Sequence, residues 1–573
     1  MTPTDSGPAT LRRFLPWLLP TALLAGHAAA ADVRIGVDWN GDGLIQTLPG
    51  SRVPQDAPSD SQPFVFWVNH DQDDLETGGE TWPIARPDAN TPAPDSSRDL
   101  EDFTRLHVEI DDLGSLPGDA VLTLAWASGS TAELNLFRNE DPDCSRRYLL
   151  DAEAGRRQLS APHGTPIGTV GANALKIPLQ TLGEPGLDGA GYCFLLEVAS
   201  PGQGHLVATI ADGEGVLARS EPIAAELRHI KSLYQRTTMT WPEEILAPWA
   251  YTTEAPPVPD LQWSKDPQGH EFEPGWWETE DHVVWVYGWL KSGEGLREMA
   301  TTQAAETIFK RLWHRGYRGR LTFFHWPTVK PRYAYGLLES EYRAYKSAPA
   351  LVDFVSQIPK GKRIHVTAHS LGCVLVTEAI KLGLEAEEAL LQVGAIPAAA
   401  YDTRPVLTLP DMADVVTPWL PEEGGYHGYI DETPTPVYTM YNYADVTFFG
   451  WNIAQKQMKP TAKRGGYRYA WEPDAPQGER ARLYYKTGWF SSKYRLVDDP
   501  HEIMAFIAKA KTHAIGAETR VQGHVRRVFD LARKPHDFHT GHVVGWTRPV
   551  HETTAFYNLL LDVWNIAYVS ELL

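Results

Sequence analysis

Ile364-His365-Val366-Thr367-Ala368-His369-Ser370-Leu371-Gly372 decides how the chain is to be read. Its apolar, β-branched first half reads as a strand, and a helix follows from Gly372 to Leu384. Between them Ser370 sits on a sharp turn. A serine held there in a strained backbone needs small residues two before and two after it, and Ala368 and Gly372 supply them. The strain lifts the hydroxyl clear of the strand, while the helix aims its first N–H groups at it. A capping serine on an ordinary strand-to-helix turn would show the same letters. The strand before and the helix after favour a nucleophile.

Working outward, strands and helices alternate from residue 281. Val283 to Tyr287, Arg320 to Trp326, Arg363 to Ala368, Ala389 to Val393 and Pro436 to Tyr441 read as strands. Arg297 to Arg315, Ser340 to Ile358 and His551 to Ile566 read as helices. Such alternation implies a mostly parallel sheet covered on both faces, an α/β domain over 281–573. Residues 32–235 differ. Runs such as Phe64 to Val68, Ala120 to Leu124, Tyr192 to Val198 and His205 to Ile210, split by Gly, Pro and Asp, predict an all-β, sandwich-like domain. Residues 236–280 are rich in Pro and Trp and read as a linker.

The Ala-His-Ser-Leu-Gly run resembles the nucleophile elbow of the α/β-hydrolase superfamily, on its lipase and esterase side, and the resemblance covers about 281–573. It implies the chain order nucleophile, acid, histidine. Ser370 would be the nucleophile. The acid should follow a strand after the elbow, and Asp445 lies just beyond Val437 to Asn442. Asp445 also suits the N-cap of a helix from Val446 to Lys456. Asp402, Asp411 and Asp414 fall in a Pro-rich stretch and are weaker choices. The histidine should lie in the loop before the last helix, where His536, His539 and His542 all stand; His539-Thr540-Gly541 fits best. The oxyanion hole would take the N–H of Leu371 and that of Trp289, after Tyr287-Gly288, where many members carry His-Gly. Almost a hundred residues separate Asp445 from His539, so insertions are expected near 400–435 and 460–530. No metal or organic cofactor is implied for the chemistry.

Length and charge bound the rest. A chain of 573 residues exceeds one core. Its formal charge of −21 argues against a nucleic-acid partner and an anionic membrane surface. Residues 1–30 read as a secretory signal peptide: Arg12 and Arg13, an apolar run from Phe14 to Gly26, then Ala28-Ala29-Ala30. No further segment reads as transmembrane. The expected location is secreted or periplasmic, where Cys144 and Cys193 can pair, leaving Cys373 as a buried thiol on the elbow helix.

Asp38-Trp39-Asn40-Gly41-Asp42-Gly43-Leu44 has the spacing of a calcium loop. Asp38, Asn40, Asp42 and the Leu44 carbonyl would be the ligands of a structural calcium. Pro49 stands where an EF-hand has its twelfth-position acid, and Asp71, Asp73 or Asp74 would have to complete the shell. A loop of Asx turns with its acids in water gives the same letters.

The sequence thus predicts an exported serine hydrolase acting on an ester-containing small molecule, lipid or polymer. Two alternatives stay open: a thioesterase or amidase using the same triad, and a surface or extracellular binding protein with an inactive hydrolase-like domain. The partner of the β-domain is unknown.

Overall fold

The structure is a computed structural model. It describes residues 32–45, 56–68, 100–127, 129–183, 185–186, 191–240, 260–263, 271–289, 304–328, 333–394, 433–441, 467–471, 481–486, 494–496, 525–530 and 550–569.

The N-terminal region holds eleven strands: Val33–Val37 (β1), Phe64–Val68 (β2), Thr104–Ile110 (β3), Val121–Trp126 (β4), Glu133–Arg138 (β5), Gly168–Val170 (β6), Leu175–Pro178 (β7), Gly191–Ser200 (β8), Gly202–Ala211 (β9), Val216–Arg219 (β10) and Ile223–His229 (β11). All join one hydrogen-bonded network. The expectation of a two-sheet sandwich is corrected on this point. β2 is buried along its whole length and pairs parallel with both β8 and β11, so it ties the network together from the middle. The region is not all-β either. Arg147–Leu150 (α1) and Ala152–Leu159 (α2) are helices, and the Asp151 carboxylate caps α2 by accepting from the N–H groups of Glu153 and Ala154. Cys144 and Cys193 are bonded, with Cα atoms 5.2 Å apart.

The second sheet has eight strands: Gln235–Thr240 (β12), Asp260–Trp263 (β13), Asp281–Val286 (β14), Arg320–Phe324 (β15), Arg363–His369 (β16), Glu388–Gln392 (β17), Val437–Tyr441 (β18) and Val525–Asp530 (β22). A separate antiparallel trio is made by Tyr467–Trp471 (β19), Ala481–Lys486 (β20) and Tyr494–Leu496 (β21). The order across the large sheet is β13-β12-β15-β14-β16-β17-β18-β22. Every pairing is parallel except β12 with β13, which makes the sheet mixed at that edge. β14 and β17 are buried throughout, as strands of a sheet covered on both faces must be, and their centres, Val283 to Val286 and Ala389 to Leu391, are apolar. Two boundaries move. The expected linker contributes β12 and β13, because Thr237-Thr238-Met239-Thr240 is a good strand sequence. The expected insertion at 460–530 ends in β22, a full member of the sheet.

Helices Ala304–His314 (α3), Tyr333–Ser356 (α4), Gly372–Lys381 (α5) and Val550–Val563 (α6) accompany the sheet. Just past α6, the Trp564 indole donates to Thr367 Oγ1 of β16 at 3.2 Å.

The two regions share one buried core. Trp67 of β2 meets Phe309, Trp313 and His314 edge-on. Lys310 and Arg311 of α3 pair with Asp102 at 2.7 Å and Glu101 at 2.6 Å. Such buried ion pairs hold a fixed register between the surfaces that carry them.

Candidate active site

Ser370 follows β16 with φ of 51°, a left-handed conformation that a serine rarely takes. Its N–H donates to the Gln392 carbonyl of β17 at 2.9 Å, and its own carbonyl accepts from the Cys373 N–H, which starts α5. The strain is therefore held from both sides. Val393, at the end of the neighbouring strand, has φ of 41°, an outlier for a β-branched residue. Nothing in the sequence marked Val393.

Gly372 is required by contact. A Cβ there would lie 2.3 Å from the Tyr287 carbonyl oxygen and 2.7 Å from that of Val286. Gly288 is required in turn, since its Cβ would meet Ser370 Cβ at 2.8 Å and the His369 carbonyl oxygen at 2.9 Å. The turn after β14 and the elbow after β16 therefore touch. The Leu371 N–H is given to no backbone carbonyl among the described residues. Trp289 follows Gly288 and is half-buried against the core. Both N–H groups expected for an oxyanion hole thus belong to segments in contact with Ser370.

Tyr287, next to Gly288, is buried packing. Its ring stacks on His325 at 4.8 Å, and its carbonyl accepts from the Trp326 indole at 2.6 Å. Burial holds its hydroxyl well above the usual tyrosine range. Cys373 is a buried free thiol, also raised by burial.

Asp445 and His539 lie outside the described residues, as do His536, His542, Asp402, Asp411, Asp414, Asp71, Asp73, Asp74 and residues 1–31. The strands that precede Asp445 and His539 in the chain, β18 and β22, are described. Across the sheet, His369, Gln392, Met440 and Phe529 stand in one row. β18 and β22 therefore end on the same edge as Ser370.

A different histidine lies among carboxylates at the opposite edge. His365 Nε2 meets Asp281 Oδ1 at 2.9 Å, and its Nδ1 meets Glu388 Oε1 at 2.5 Å. Burial alone would lower its pKa, but these two carboxylates outweigh burial and raise it. Burial likewise opposes the ionised Asp281, yet His365 and Arg363 hold it below the usual value. Asp281 and Glu388 open β14 and β17, and His365 is the third residue of β16, five before Ser370, so the trio ties the beginnings of three strands together.

The Asp38 loop adopts the turns that its sequence encodes. Asp38 Oδ1 accepts from the Gly43 N–H, Asn40 Oδ1 from Asp42, and Asp42 Oδ1 from Leu44. These oxygens do not fit calcium well, however. Arg105, nearly fully buried, donates from Nη2 to Asp38 Oδ2 at 3.2 Å and to the Gly43 carbonyl at 2.7 Å. A guanidinium thus stands where a cation would need Asp38. Among the described residues no group of three His, Cys, Asp or Glu is placed to hold a metal. We assign no calcium to these residues.

No family model matches the chain, and no curated protein matches it. Solved structures do. An esterase of Pyrococcus furiosus is 15% identical over 31% of this chain and 70% of its own, with a TM-score of 0.18. An acylaminoacyl peptidase of Pyrococcus horikoshii is 9% identical over 65% of this chain and 52% of its own, with a TM-score of 0.25. An acylaminoacyl peptidase bound to Z-Gly-Gly-Phe-chloromethyl ketone gives 10%, 66%, 53% and 0.26 in the same order. The matched region spans about half the length of the two peptidases. At such TM-scores the likeness carries no weight, and the site is read from its own geometry.

Proposed function

We propose that the chain is an exported serine hydrolase that cleaves carboxylic esters through an acyl-enzyme. One observation carries this: a serine strained at φ 51° on a strand-to-helix turn, with Gly288 pressed against it. Strain of that kind is kept where exposing the hydroxyl is useful.

In the mechanism, His539 takes the proton from Ser370 Oγ as the oxygen attacks the ester carbonyl. The N–H groups of Leu371 and Trp289 receive the developing oxyanion. The same histidine returns its proton to the leaving alcohol, leaving the acyl group on Ser370. Water, deprotonated by His539, then releases the acid and restores the serine. Asp445 holds the imidazole in its tautomer and stabilises the imidazolium.

Chain order and strand ends support these roles. Asp445 comes four residues after β18, and His539 nine after β22. Neighbouring strands lie about 4.8 Å apart, so β18 and β22 end about 10 and 14 Å across the sheet from β16. At ~3.3 Å per residue both connections are long enough to reach back to Ser370. His536 and His542 share that segment and are tested beside His539. The Cys144–Cys193 bond supports export, since such bonds persist in oxidising compartments.

The test is turnover of p-nitrophenyl esters of increasing acyl length by the purified mature chain. Ser370→Ala should lose on the order of 10⁴-fold or more in kcat. Among His536→Ala, His539→Ala and His542→Ala, only the His539 variant should match it. Activity that survives Ser370→Ala would sink the reading; loss at His536 or His542 instead would reassign the base.

A further inference from the structure

A cavity of about 30 Å³, room for one small group, lies at the junction of the two regions. It takes Thr104 and Arg105 from β3, Arg146 from the turn after Cys144, and Trp313, His314 and Arg318 from the end of α3 onward. Three guanidiniums therefore converge on it. Arg105 is anchored by the carbonyls of Cys144 at 2.6 Å and Gly43 at 2.7 Å. Arg146 donates to the His314 carbonyl at 2.7 Å. Arg318 donates to the carbonyls of Trp313 at 2.7 Å and Tyr317 at 3.0 Å, and stacks 3.9 Å from the Trp313 ring centroid. Those acceptors are neutral. Among the described residues Asp38 is the one carboxylate lining the cavity, and Arg105 already engages it. Three positive charges thus face one negative charge in a partly desolvated space, although the whole chain carries −21.

We infer that this cavity binds a small oxyanion, a phosphate or carboxylate group, held by Arg105, Arg146 and Arg318. Each guanidinium is fixed by carbonyls on one side, which leaves its remaining N–H groups preorganised for oxygen acceptors. An excess of positive charge in such a half-buried space is costly, and an oxyanion relieves it. Burial first, then Arg105 and Arg315, push Arg146 down to about 10; burial does the same to Arg318. The cavity is separate from Ser370. Arg318 precedes the start of β15, whereas Ser370 follows the end of β16, so they lie at opposite sheet edges, about 26 Å apart along the strands. The oxyanion is therefore no substrate of Ser370. It bridges Arg105 and Arg146 of the N-terminal region to Arg318 of the α/β region, at a loop whose letters suggested a cation.

The test is thermal unfolding and titration calorimetry of the full mature chain with inorganic phosphate, malonate or calcium chloride. Sodium chloride holds the ionic strength constant. Phosphate or malonate should raise Tm saturably, and whichever binds tighter tells phosphate from carboxylate. Arg146→Gln and Arg318→Gln should each weaken binding at least tenfold. Asp38→Asn, which removes the competing carboxylate, should tighten it several-fold; this gain does not depend on the arginine variants folding. No anion-specific shift in the wild type, or equal shifts in all variants, would overturn the inference. A calcium-specific rise in Tm lost in Asp38→Asn would overturn it too, in favour of a cation.

Discussion

Gly288→Ala is the sharpest perturbation that leaves every functional side chain in place. The added Cβ would lie 2.8 Å from Ser370 Cβ and 2.9 Å from the His369 carbonyl oxygen. Carbon atoms at best separation sit about 3.5 Å apart or more, so the turn and the elbow must part by about 0.7 Å. Overpacking of this kind costs ~1–3 kcal/mol of stability. The same movement draws the Trp289 N–H, the proposed oxyanion donor, away from the serine. A misplacement of about 1 Å costs about 100-fold in rate, so a loss of about 10- to 100-fold in kcat/KM is expected, or ~1.4–2.7 kcal/mol in the barrier. Gly118→Ala is the matched control, because a Cβ there meets nothing within 4 Å. The assay is ester turnover beside Tm for both variants. If Gly288→Ala turns over ester as fast as Gly118→Ala, then the turn after β14 does not serve Ser370, and the oxyanion assignment is refuted.

Other perturbations test the frame. Because the folded pKa of His365 is raised, its contribution to stability is full below the ordinary histidine value near 6.5 and is lost as pH rises through the folded value. Urea unfolding from pH 6 upward should show that decline, and His365→Gln should flatten it; an unchanged profile refutes the role. Asp281, held low, contributes in the other direction, and its share disappears as pH falls through its folded value. Asp102→Asn would leave Lys310, only 3% exposed, without its carboxylate, at a cost of ~3–5 kcal/mol by urea unfolding. A loss below ~1 kcal/mol would mean that the junction does not depend on the pair. Replacing Cys144 and Cys193 by Ser opens a loop of 49 residues and should cost ~2–4 kcal/mol. An unchanged urea midpoint would refute that.

Much of the α/β region was legible because its signals are local. The strand, turn and helix around Ser370 are set by adjacent letters, and Gly372 announced the tight contacts that the structure shows. β12 escaped because it lies beyond a compositional shift and finds its partner, β15, 87 residues later. α2 escaped although Asp151, its cap, stands in plain view before Ala152-Glu153-Ala154. The Asp38 loop shows the harder limit. Its letters encode the turns correctly, but the charge it faces comes from Arg105, Arg146 and Arg318, brought in from three distant segments. Spacing along a chain does not report such neighbours. Val393 is similar: its own propensity does not give its backbone, which follows Gln392, the residue whose carbonyl holds the Ser370 N–H.

The most direct measurement is labelling of the mature protein with a fluorophosphonate at pH 8, with the adduct located by peptide mass spectrometry. Activated serine should be modified at Ser370 alone, and Ser370→Ala, shown by circular dichroism to be folded, should stay unlabelled. A folded wild type that takes no label, or an adduct on another residue, would contradict the account.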